Sequence, residues 1–264
     1  MINMQMGSIL EEYILDTIRK GQRDDGRSFN AYRDISIKSS PLQNTEGSAD
    51  VLIGNTRVLA GIKIALDEPM SDKPEDGNII TSAELLPIAS EKFEPGPPTP
   101  EAIELARVID RGIRAANMID TKSLFIEKGK VWSVFIDIYV LNYDGNMFDA
   151  GTIAAASALF STRLPRLEGE DVIREGNLER LKPSNLVTSC TFGKIADKIL
   201  LDMTAPEEMF SKARLTIAND ENVVRAMQKG LGGSFSTSEL DQMIDLSFEK
   251  GKEVRNIIKK ATGE

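Results

Sequence analysis

"ADVLIGNTRVLAGIKIAL", residues 49–66, decides the fold. Two stretches rich in Val, Ile and Leu flank Gly54-Asn55. A two-residue connection of this type closes an antiparallel hairpin, because residues tolerant of positive φ match the twist of the flanking strands. The neighbouring segments extend the sheet. "RDISIK" (33–38) alternates as a strand does, and "NIITSAELLPIA" (78–89) is a further strand candidate. "VWSVFIDIYVLNYDG" (131–145) reads as a long strand that ends at an Asp-Gly turn.

Helices sit between and after these strands. Ser8 and Glu11 form a Ser-x-x-Glu capping box, predicting a helix from there to about Lys20. "DEPMSDKPEDG" (67–77) is an acidic loop. "FEPGPPTP" (93–100) is a stiff extended linker, since each proline disfavours helix in the residue before it. Thr99 then caps and Pro100 takes the first position of a helix that runs to about Asn117. Asp149 is expected to cap the small-residue helix "AGTIAAASALFSTR" (150–163). Later, "LVTSCTF" (186–192) and "KIADKILLDMT" (194–204) form a strand pair with a turn between them, as do "ARLTIAND" (213–220) and "NVVRAMQKG" (222–230). Ser236 and Glu239 open a last helix, to about Lys260. Long antiparallel strands with helices grouped beside them define an α+β class. The expected organisation is an N-terminal helix and lead-in (1–30), a first half (31–165), a connection (166–185) and a second half (186–264).

Composition removes several kinds of function. The 264 residues contain no histidine, which rules out Ser-His-Asp and Cys-His catalysis, His acid-base chemistry and the usual zinc sites. Any chemistry falls to carboxylates, Arg, Lys, hydroxyls or backbone amides, and neither a cofactor nor a metal is expected. The net charge of −9 means that any nucleic-acid contact must be local. One cysteine, Cys190, cannot form an internal disulfide, which is compatible with a reducing cytoplasm. The longest apolar run is far too short to span a bilayer, and the N-terminus has no basic leader.

Against this acidic background, "ELARVIDRGIRAAN" (104–117) places Arg107, Arg111 and Arg114 on one stripe of a helix. On residue pattern alone, the alternative is a solvated face with Glu104 and Asp110 as local partners, and such surface pairs are worth little.

Several spaced segments carry a resemblance. They are "RDDGR" (23–27) with Arg33, "GNTRVLAGIK" (54–63), "ELLPIASEKFEPGPP" (84–98), "FIDIYVLNYDGN" (135–146) and "MQKGLGGSFS" (227–236). Together they resemble the RNase PH superfamily over nearly the whole chain. The "FEPGPP" linker and the "MQKGLGGSFS" tail are similar to its catalytically silent branch, the ring subunits that accompany a phosphorolytic subunit in the archaeal exosome. The resemblance implies an RNase PH fold of two β-α halves and a six-membered ring of alternating subunits. It also implies a role in 3′-to-5′ decay of single-stranded RNA, with RNA-binding cap proteins as further partners.

Active relatives seat orthophosphate on a Gly-Ser/Thr-Arg run at a helix N-terminus, where free amides and the helix dipole attract an anion. This chain has "DGNMFDAG" (144–151) there, with no Arg between Tyr143 and Ser161. Active relatives also place two aspartates after the strand that corresponds to "LLDMTAPEE" (200–208). Here Asp202 stands at the first place and Glu208 falls near the second. Two such acids can bind a cation or hold a proton, although acids after a strand are more often solvated loop ends. With the phosphate seat missing, Asp202 is read as a residual acid or a structural residue. The resemblance assigns Arg107 and Arg111, with Arg114 extending the stripe, to the RNA backbone beside a neighbouring active subunit. One helical turn separates Arg107 from Arg111 by about 6 Å, close to the phosphate spacing of an extended strand. The expected function is therefore a non-catalytic exosome ring subunit. An active phosphate-dependent 3′-to-5′ exoribonuclease using Asp202 is the alternative, and a stand-alone binding module is the third reading.

Overall fold

The structure, a computed structural model, describes residues 2–169 and 171–263, with side chains from residue 7 onward. Helix α1 covers Ile2–Arg19. Strands β1 (Ile35–Ser39), β2 (Gly47–Ile53), β3 (Thr56–Asp67) and β4 (Asn78–Leu85) precede helix α2 (Pro100–Ala115). Strands β5 (Phe125–Glu127) and β6 (Lys130–Asn142) lead into helix α3 (Met147–Ser161). The chain continues through β7 (Arg166–Glu168), β8 (Asp171–Ile173), β9 (Thr188–Ile195), β10 (Lys198–Leu201) and α4 (Ala205–Phe210). It closes with β11 (Ala213–Asn219), β12 (Val224–Gly230) and α5 (Thr237–Thr262). The architecture is α+β.

The first sheet runs β1-β2-β3-β6-β4, with β5 beside β6, and the second runs β10-β9-β11-β12. Ile53 opposite Thr56 leaves Gly54 and Asn55 as the hairpin turn, with Gly54 at φ 55°. Along β2 and β3 the inward residues Val51, Ile53, Val58, Ala60, Ile62 and Ile64 are almost completely buried. The pairing of β4 with β6 is parallel, because the chain between them crosses over through α2.

Helix α3 is apolar on all sides, and a helix of that kind must be enclosed. Every residue from Met147 to Leu159 is buried. It packs on β2 and β3 of one sheet and on β9 of the other. Alanines 150, 154, 155, 156 and 158 let both sheets approach, and each of Phe148, Ile153 and Leu159 stabilises the fold by about 2 kcal/mol on burial. A Cβ at Gly151 would lie 2.7 Å from Ile109 Cδ1, so the glycine sets how closely α2 crosses α3. Val187, Ala218, Val254 and Ile258 join the same apolar cluster as the first sheet, while Cys190, Phe192, Leu201, Leu215, Ile217 and Met243 form a second cluster between the second sheet and α5.

Three local expectations are corrected. Helix α1 begins at Ile2, which puts Ser8 and Glu11 inside it rather than at its cap. The β9–β10 turn falls at Ala196-Asp197, both at positive φ (47° and 62°), and not at Gly193. Gly193 stays in the strand because Met203 packs over it; a Cβ there would meet Met203 Sδ at 1.9 Å. The expected connection, 166–185, carries a short hairpin of β7 with β8. The residue that caps α3 is Asn146, not Asp149. The expected caps Thr99 and Ser236 hold: Thr99 accepts from Ala102 N–H, and Ser236 and Glu239 form the reciprocal box.

Candidate functional site

The end of β6 is tied to the loop after β10. Gly145, at φ 81°, sits where a Cβ would approach Met203 O to 2.3 Å, so only glycine turns the chain there. Asn146 follows in the left-handed region, fully buried. It touches three carboxylates. Its backbone N–H donates to Glu208 Oε1 (2.7 Å), and its Nδ2 donates to Asp149 Oδ2 (2.9 Å) and Asp202 Oδ1 (2.7 Å). Its Oδ1 accepts the Asp149 N–H at 3.4 Å, which caps the helix.

Asp149 lies in the first turn of α3 with its carboxylate fully enclosed. It accepts from Tyr32 OH (2.8 Å), Ser189 Oγ (2.9 Å), Thr191 N (2.9 Å) and Thr191 Oγ1 (2.8 Å) as well as from Asn146. Burial pushes its pKa up to about 6, against the pull of these donors. Glu208, held by the Tyr143 hydroxyl and the Asn146 amide, is also raised by burial.

Asp202 is overturned as a solvated loop end: it is 0% exposed and at φ 52°. Arg33 surrounds it, donating from its backbone N (2.8 Å), Nε (2.9 Å) and Nη2 (2.8 Å). Arg27 Nη1 adds a fourth bond at 2.9 Å. Burial alone would raise this acid, but the guanidinium and amide donors win and hold it below the ordinary carboxylate range. The third arginine of this region, Arg23, is buried and pairs bidentately with Glu207 while donating to the carbonyls of Leu201 and Asp202. Arg23, Arg27 and Arg33 thus hold the loop after β10. Sequence reasoning used them only as marks of resemblance. Their partners lie some 170 positions away, and no local signal connects the two.

The start of α3 is already occupied by Asn146, Asp149 and Glu208, and no arginine lies on that helix. A dianion within about 4 Å of a carboxylate meets roughly 1–4 kcal/mol of repulsion per charge pair, depending on the local dielectric. Among the described residues, no group of three or more Cys, Asp or Glu side chains is placed to hold a metal ion.

The second feature is the outer face of α2, with Arg107, Arg111 and Arg114 all exposed. They differ in what they touch. Among the described residues Arg107 makes no hydrogen bond or ion pair. Arg111 Nη1 donates to Gln228 Oε1 on β12 at 2.9 Å. Arg114 pairs with Asp110 (2.7 Å) and donates to Ile79 O on β4. Of the expected local partners, Glu104 turns to Arg214 instead (2.5 Å), which stacks on the Phe148 ring 4.2 Å from its centroid. Only Asp110 meets a member of the stripe.

The two-sheet α+β fold of this chain is that of one protein family. Residues 31–165 match domain 1 of the 3′ exoribonuclease (RNase PH) family and residues 185–250 match domain 2, so the chain belongs to that family. Within it, the chain is similar to proteins called exosome complex component Rrp42. That of Thermococcus gammatolerans is 45% identical, over 98% of this chain and 97% of its own. That of Methanothermobacter thermautotrophicus is 42% identical, over 92% and 91%. Among solved structures, a chain of the Archaeoglobus fulgidus exosome with RNA bound to the active site superposes with a TM-score of 0.90 at 39% identity, covering 95% of this chain and 98% of its own. A chain of an archaeal exosome core gives a TM-score of 0.87 at 36% identity, over 98% and 100%. No helix among the described residues is long and apolar enough to cross a membrane.

Proposed function

We propose that this chain is a non-catalytic ring subunit of an archaeal-type exosome, which structures the active site of a phosphorolytic RNase PH-type neighbour and guides single-stranded RNA to it. The observation that carries this is the Asn146 cluster: three carboxylates converge where the reaction would need an anion seat. The chain contributes instead through α2, where Arg107 and Arg111 keep charge for phosphates and Arg114 is a third, weaker rung already met by Asp110. Contacts of this kind position RNA without reading its bases. The partners are the catalytic subunit, alternating with this chain in a ring of six, and RNA-binding cap proteins. A single buried cysteine suits a cytoplasmic complex. The alternative, an active exoribonuclease using Asp202, is disfavoured because that carboxylate is enclosed and fully taken up by Arg33, Arg27 and Asn146.

The purified chain, given labelled single-stranded RNA, phosphate and magnesium, is expected to release no nucleoside diphosphates, whereas the complex with its phosphorolytic partner does. Release by the chain alone overturns the proposal. The double variant Arg107→Glu/Arg111→Glu should assemble with unchanged mass but bind RNA more weakly. Losing two phosphate contacts lowers the slope of log affinity against log salt by about 1.4 for single strands, so the defect is largest at low salt and narrows as salt rises. Unchanged affinity and slope would return the stripe to plain solvated surface.

A further inference from the structure

The arginines on and beside α2 are mostly neutralised. Arg214 pairs with Glu104 (2.5 Å), Arg225 with Asp220 (2.6 Å) and Arg114 with Asp110 (2.7 Å). Arg111 is held differently. Its partner is the amide oxygen of Gln228, 117 positions away on the edge strand β12, at 2.9 Å. An amide fixes a guanidinium in place without cancelling its charge, while a carboxylate in the same position would do both. Gln228 is itself partly buried and set by strand pairing with Thr216, so the point to which Arg111 is tied is rigid. Arg107, one turn earlier, has charge but no tether.

We propose that Gln228 is a positioning residue of the RNA path: it holds Arg111 with its charge intact, so that Arg111 is the pre-set phosphate contact and Arg107 the adaptable one. This rests on the reading of α2 as an RNA path. It assigns a role to a residue of the second half that neither the arginine stripe nor the acid cluster includes. The physical gain is that less freedom is lost when RNA arrives, since a side chain already held in place need not be ordered by the ligand.

The test uses the complex assembled from this chain and its phosphorolytic partner, with labelled single-stranded RNA titrated at several salt concentrations. Gln228→Glu should pair with Arg111, lower RNA affinity several-fold at low salt, and reduce the salt slope by about 0.7, the equivalent of one phosphate contact. Gln228→Ala should lower affinity about two- to threefold with the slope unchanged, since the charge stays but the order is lost. In an Arg111→Ala background, Gln228→Ala should add nothing. Thermal melting of each variant, expected to match the parent, separates these effects from folding. A silent Gln228→Glu beside an Arg111→Ala that weakens binding overturns the role of Gln228 and leaves the path standing. An equal effect of Gln228→Ala with and without Arg111 also overturns it. If Arg107→Ala and Arg111→Ala are both silent, the path itself fails, and the assignment of Gln228 fails with it.

Discussion

Arg33→Leu is expected to cost about 3–5 kcal/mol of folding stability at neutral pH, because it leaves the enclosed Asp202 carboxylate short of its main counter-charge. Arg33 supplies two side-chain bonds to Asp202 and also donates to the carbonyl of Asp144 at 2.6 Å, so its removal affects both the acid and the turn before α3. For a chain of this length the melting temperature should fall on the order of 10 °C. The pH dependence has a definite sign. Asp202 is held below its ordinary range, so its contribution is present above that range and lost on acidification through the depressed value. The gap between variant and parent should therefore close at low pH. Adding Asp202→Asn to Arg33→Leu should recover part of the loss, since asparagine tolerates the left-handed backbone at 202 and brings no charge. Urea melts of the parent and both variants at neutral and acid pH decide this. An Arg33→Leu protein as stable as the parent would show that the clamp is not structural.

Asp149 should behave in the opposite sense. Its pKa is raised to about 6 by burial, so the ionised form weakens the fold: stability is fully present below the unfolded value near 4 and lost as pH rises through about 6. Two pKa units correspond to roughly 3 kcal/mol. Asparagine can replace it without orphaning a donor. Its oxygen would accept from Thr191 N, Tyr32 OH and Asn146 Nδ2. Its NH2 would donate to Ser189 Oγ and Thr191 Oγ1, which can turn their own hydrogens to Thr152 and Thr216, 2.9 and 3.0 Å away. Asp149→Asn is thus expected to be more stable than the parent at pH 7.5, by up to about 3 kcal/mol, with the difference disappearing between pH 6 and 4. Asp149→Ala, which leaves the Thr191 amide without its acceptor beside a cavity, should lose about 3 kcal/mol. An Asp149→Asn protein less stable than the parent at every pH would mean that the enclosed charge is favourable there. Ring assembly and RNA turnover are expected to survive in Asp149→Asn, because the side chain is fully enclosed and touches none of the α2 arginines.

The two carboxylates illustrate how far local reading reached. Both were singled out by position, yet the sequence reads Asp149 as a helix cap and Asp202 as a residual or structural acid without showing what holds it. A cap is decided by backbone conformation, and the left-handed turn at Asn146, forced by Gly145 against Met203, moved the cap three residues back. Asp202 is enclosed because Arg33 arrives from the opposite end of the chain. The α2 stripe was legible as a pattern because helical periodicity is local. The Asp110 partner of Arg114 was legible for the same reason, but the tethers of Arg111 to Gln228 and of Arg114 to Ile79 were not, because those residues come from distant strands.

By itself the amino-acid order determined the elements whose signals are short-range. These are the Gly54-Asn55 hairpin, the Thr99-Pro100 start of α2, the Ser236–Glu239 box of α5, the absence of histidine chemistry and the α+β class. Only the tertiary structure decided the parallel β4–β6 pairing, the burial of α3 between two sheets, the arginine clamp on Asp202 and the amide tether on Arg111. The physical reason is range: turns, caps and periodicity act over a few residues, whereas burial and charge pairing depend on which distant segments the closed core brings together.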